Sequence, residues 1–91
     1  MNNYATIHLS DIGRANPVTY VQQNITVPPQ WSWGQATRSL ICFNSKTKPW
    51  SIRVRSDHSI DVDGYGRSKR YRFKDCADAV RIVNACFKAY E

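Results

Sequence analysis

Ninety-one residues with 42% hydrophobic content, three Trp, five Tyr and three Phe can fill one modest core, so a single domain over residues 1–91 is expected and disorder is not. The formal net charge of +6 favours anionic partners. No stretch approaches the ~18 apolar residues of a membrane span, residues 1–8 lack the cationic and apolar regions of a signal peptide, and Cys42, Cys76 and Cys86 are too few and too unevenly spaced for a secreted disulfide framework. These features predict a cytoplasmic protein with no membrane association.

Along the chain, Tyr4–Leu9 alternates weakly and Val18–Val27 is rich in β-branched and polar residues; both read as possible strands, the second ended by Pro28-Pro29. Trp31-Ser32-Trp33 then places two rings on one side of an extended stretch. One would cover the core edge and the other would be exposed as an interface anchor. Ser32 and Gln35 imitate a helix capping box, which would start a short helix through Trp33, Ala36, Leu40 and Ile41. The preferred reading makes Arg38–Asn44 a buried strand, turning through Ser45–Pro49 into the next.

Period-two alternation follows. Residues 50–55, 60–63 and 70–74 each alternate apolar with charged side chains, which reads as a three-stranded antiparallel meander. A three-residue loop, Asp57-His58-Ser59, would place Val54 opposite Val62, Arg55 opposite Asp61 and Arg53 opposite Asp63. A two-residue loop would mix the faces, because a one-residue slip reverses every side chain. From Cys76 the apolar positions Ala79, Val80, Val83, Cys86, Phe87 and Tyr90 recur at helical spacing behind Asp75, a natural N-cap. The predicted fold is therefore α+β: an antiparallel β-sheet (meander) with one C-terminal α-helix, 76–90, packed on its apolar face.

Charge is distributed in blocks. Residues 34–56 carry Arg38, Lys46, Lys48, Arg53 and Arg55 with no acid; residues 57–66 carry only Asp57, Asp61 and Asp63; residues 67–74 carry Arg67, Lys69, Arg70, Arg72 and Lys74. Arg53, Arg55, Arg70, Arg72 and Lys74 would share the solvent face of the sheet, with the two strand aspartates neutralising two of them. The candidate site is the segment Gly64-Tyr65-Gly66-Arg67-Ser68-Lys69-Arg70. Its glycines would release the backbone around an aromatic ring beside three cations, which suits stacking and phosphate neutralisation. The bland alternative is a flexible hairpin loop with Tyr65 lying on the domain. Candidate binding residues are Tyr65, Arg67, Lys69, Arg70, Arg72, Lys46 and Lys48, with Trp31 and Trp33 for a protein partner.

Metal and cofactor chemistry is not expected. Cys76 and Cys86 lie about 15 Å apart along one helix at 1.5 Å per residue, too far to share a metal. Asp61-Val62-Asp63-Gly64 lacks the bidentate Glu of a calcium loop, having Arg70 in its place. His8 and His58 are the only side chains that titrate near neutrality unperturbed, and no phosphate cradle or nucleophile motif accompanies them. A non-catalytic binder of nucleic acid or a ribonucleoprotein is the expectation. In size and style the chain also resembles the small single-domain proteins of phages and mobile elements, among them anti-CRISPR proteins. That likeness implies an alternative role: an inhibitor or adaptor bound to an acidic patch on a host protein. It transfers no residue.

Overall fold

The computed structural model describes residues 16–91; the possible strand at Tyr4–Leu9 lies outside them. Five strands form one antiparallel sheet in sequence order: β1 (Trp31–Ala36), β2 (Leu40–Ser45), β3 (Ser51–Arg55), β4 (Ser59–Gly64) and β5 (Arg67–Arg72). Helix α1 (Pro17–Asn24) precedes the sheet and α2 (Cys76–Ala89) follows it. The expected meander and C-terminal helix are present, with two further strands and a second helix.

Helix α2 starts where expected. The Asp75 carboxylate accepts from Asp78 N at 2.9 Å, satisfying one of the first-turn donors that a helix leaves open. Ala79, Ile82, Val83, Cys86 and Phe87 are buried and Val80 is half-buried, so Ile82, omitted from the expected stripe, belongs to it. Phe87 meets Phe43 edge-on at 5.1 Å and Trp31 at 5.4 Å between ring centroids. Ile41, Phe43, Ile52, Val54, Ile60 and Val62 supply the sheet's side of the core.

Val18–Val27 does not form a strand. Pro17 opens α1, and Asn16 caps it by accepting from Thr19 N at 3.3 Å. Val18 and Val21, three apart, are fully buried. The β propensity of this segment is overridden because proline and an Asn cap favour helix initiation and the two valines share one face. Nor is Ser32 a helix cap: Trp31–Ala36 is strand β1, paired with β2 through Trp31↔Ser45 and Trp33↔Phe43. The expected strand Arg38–Asn44 begins instead at Leu40, because Thr37 Oγ1 turns the chain by accepting from Leu40 N and donating to Leu40 O.

The β3–β4 register differs from expectation by two residues. Arg53 pairs with Asp61, Val54 with Ile60 and Arg55 with Ser59. The loop has the expected three residues but is Ser56-Asp57-His58. His58 takes φ 69°, the left-handed residue that closes such a loop. Ser59 Oγ donates to Asp57 Oδ1 at 2.5 Å, and that bond holds the Asp57 carboxyl below its usual range. His58, expected at an exposed tip, is half-buried and stacks on Phe73 at 4.9 Å.

Candidate nucleic-acid interface

In an antiparallel meander alternate connections lie at the same end. The β2–β3 loop, with Lys46 and Lys48, therefore shares an end with the β4–β5 turn, with Tyr65 and Arg67. Ring packing ties the two together: the Trp50 ring lies 5.0 Å from Tyr65 and 4.8 Å from Tyr90, both edge-on. Lys48 Nζ donates to Glu91 O at 2.5 Å, tying that loop to the end of α2.

The β4–β5 connection is a tight two-residue turn. Gly64 pairs with Arg67, and Tyr65 and Gly66 have φ 55° and 72°, the pattern of a type I′ hairpin. The positive φ values fall on Tyr65 and Gly66, so Gly64 has another role. A Cβ there would collide with Trp50 Cε3. Gly64 is the seat on which the Trp50 indole rests. Tyr65 remains 60% exposed although its edge contacts Trp50.

Because the turn is short, β5 starts at Arg67, and the cations expected in a loop alternate along a strand. Arg67, Lys69 and Tyr71 oppose Gly64, Val62 and Ile60 on the helix side. Arg70 and Arg72 oppose Asp61 and Ser59 on the open side. The expected single cationic patch is thus two. On the open side, Asp61 is buried at 5% exposure and bridges two arginines: Arg55 Nε at 2.9 Å and Arg70 Nε at 2.7 Å. The Arg70 hydrogen bond, with that from Arg55, holds the Asp61 carboxyl below the ordinary range against the effect of burial. Arg53 is paired to Asp63. Arg72 makes no ion pair among the described residues. The open face is therefore a ladder of ion pairs in which two aspartates hold three arginines, and it keeps a positive excess that includes Arg72.

On the helix side the arrangement is the reverse. Arg67 and Lys69 are exposed and form no ion pair among the described residues. Lys69 Nζ sits 5.4 Å over the Tyr71 ring, a favourable cation–π placement. The Tyr71 and Tyr90 hydroxyls are 2.9 Å apart; that hydrogen bond, with burial, pushes the Tyr90 phenol up to about 12. A groove of about 310 Å³ lies between Trp50, Val62, Arg67, Ser68, Lys69 and Tyr90. Beyond the tyrosine pair is a second groove of about 380 Å³ between Tyr71, Arg72 and α2, where Arg81 is engaged by Asp78 at 2.6 Å.

Of the aromatic candidates, Trp31 is 2% exposed and belongs to the core, whereas Trp33 is 42% exposed beside Phe43, 4.8 Å away. Trp50, Tyr71 and Tyr90 are half-buried at the core's margin. Their gathering with Tyr65 is invisible to local pattern because it joins three separate segments. Cys86 is a buried thiol pushed up to about 11 by desolvation, consistent with its place in the apolar stripe. Among the described residues no helix is long and apolar enough to cross a membrane. No protein-family model, curated protein or solved structure matches the chain.

Proposed function

We propose that this protein is a non-catalytic binder of nucleic acid or of a ribonucleoprotein, engaging it at the end of the sheet where β4 turns into β5. The observation that carries the reading is the sidedness of β5. Arg67 and Lys69 face the aromatic cluster without an acidic partner among the described residues, whereas Arg53, Arg55 and Arg70 are held by aspartates. Unneutralised cations next to an exposed ring suit phosphates flanking a base. Lys46 and Lys48, at the same end, would extend the cationic track. Edge strands also use lysine and arginine to deter pairing with other chains. That role accounts for charge on β5 but not for its placement beside Tyr65, Trp50 and Tyr90.

The test is binding of a random single-stranded oligonucleotide at two salt concentrations. Affinity should fall steeply with salt, and replacing Arg67 and Lys69 with Ala should flatten the slope by about 0.7 for each phosphate no longer neutralised. Absent or salt-insensitive binding by folded protein defeats the reading. One observation favours a second: Trp33 is exposed within residues 15–37, a stretch with no charged side chain. A protein partner docking there, as for a phage-type inhibitor, would be lost on Trp33→Ala with oligonucleotide binding never present.

A further inference from the structure

We infer that the groove bounded by Trp50, Tyr90, Arg67 and Lys69 receives one unpaired nucleobase, so that the protein selects single strands over duplexes. The inference rests on the nucleic-acid reading above and adds to it what is recognised. At about 310 Å³ the groove is at the small end of ligand pockets, which run about 300–1,000 Å³; that suits a single nucleotide unit better than a folded element. Its walls divide by chemistry. Trp50 and Tyr90, with rings 4.8 Å apart, supply apolar aromatic surface, and Val62 adds to the apolar lining. Arg67 and Lys69 line the same groove and supply positive charge, and no acidic side chain lines it among the described residues.

That combination matches a base with its phosphates: a flat π-surface to cover and anionic oxygens on either side. Tyr65, 60% exposed and in edge contact with Trp50, stands next to the groove where an adjacent base could stack. Bases within a duplex are already stacked and paired, so they cannot enter without being extruded. The seat is also built: Gly64 leaves room for Trp50, and a Cβ there would collide with the indole.

The experiment compares the wild-type protein's affinity for three probes of equal length, about ten nucleotides: an oligothymidylate, a strand of abasic residues and a duplex. Abasic strands retain the phosphates but offer nothing to stack. One stacked base at about 1–3 kcal/mol should make the oligothymidylate bind about 5- to 140-fold more tightly than the abasic strand, at 1.4 kcal/mol per tenfold. The duplex should bind more weakly than the oligothymidylate, and oligothymidylate should quench tryptophan emission. Trp50→Leu should abolish the preference. Equal affinity for oligothymidylate and abasic strands overturns the inference while leaving phosphate binding intact. A preference lost on Tyr65→Ala but kept in folded Trp50→Leu also overturns it. Failure of all probes to bind folded wild type overturns the underlying reading instead.

Discussion

Arg55 and Asp61 are joined by an ion pair, Nε to Oδ2 at 2.9 Å, although they are not backbone partners: Arg55 pairs with Ser59, and Asp61 with Arg53. The contact runs diagonally across the sheet, as does that of Arg53 with Asp63, whose backbone partner is Ser51. Diagonal neighbours are within reach of long side chains. The same charged pairs therefore form in a register two residues away from the one that would set them face to face.

Asp61 should be the most costly of the sheet's charges to remove. Its carboxylate is buried and accepts from both Arg55 and Arg70, and hydrogen bonds to charged groups contribute about 1.5–3 kcal/mol. Asp61→Ala should lower urea-unfolding stability by about that amount, discounted from a buried-pair value because both arginines are part-exposed and can rehydrate. Arg72→Ala, which breaks no ion pair among the described residues, should change stability by less than about 0.5 kcal/mol.

The pH dependence follows from the same carboxylate. The folded-state pKa of Asp61 lies below its ordinary value of 3.8, chiefly through the Arg70 hydrogen bond. Its contribution is thus fully present above that ordinary value and is lost as pH falls through the lower folded one. Wild-type protein should lose more stability than Asp61→Asn between about pH 5 and about pH 2. Parallel acid-unfolding curves for the two would contradict this.

The two glycines flanking Tyr65 should respond differently to substitution. Gly64→Ala drives a Cβ into Trp50, an overpacking expected to cost about 1–3 kcal/mol and to alter the near-ultraviolet circular dichroism of the indole. Gly66→Ala meets nothing within 4 Å among the described residues but must hold φ 72°. It should cost about 1–2 kcal/mol and leave the tryptophan signal unchanged.

Phe87→Ala should destabilise by about 3–5 kcal/mol, because Phe87 is 3% exposed and touches both Phe43 and Trp31. Loss of a cooperative thermal transition would be the expected outcome in a domain this small. An unchanged midpoint would mean that α2 does not cover the sheet as described.

Much of the fold is legible from local chemistry. Period-two alternation identifies β3 and β4, and helical spacing behind Asp75 identifies α2, because each pattern reports which face is buried. A face pattern alone cannot choose between registers. A slip of two residues leaves every side chain on its own face, so the arrangement expected from Arg55 opposite Asp61 and the one observed are equally amphipathic. The choice falls to the loop backbone, with His58 left-handed and stacked on Phe73, a contact between segments. Propensity likewise favours a strand at Val18–Val27, but helix α1 forms because Val18 and Val21 are buried together and Asn16 caps its start. Composition locates the cations of residues 67–72; only the two-residue turn at Tyr65-Gly66 decides that Arg67 and Lys69 stand beside Trp50 and Tyr90, while Arg70 is engaged by Asp61. Local patterns record which face a residue takes, whereas a binding surface depends on which distant segments share that face, and that is settled by tertiary packing.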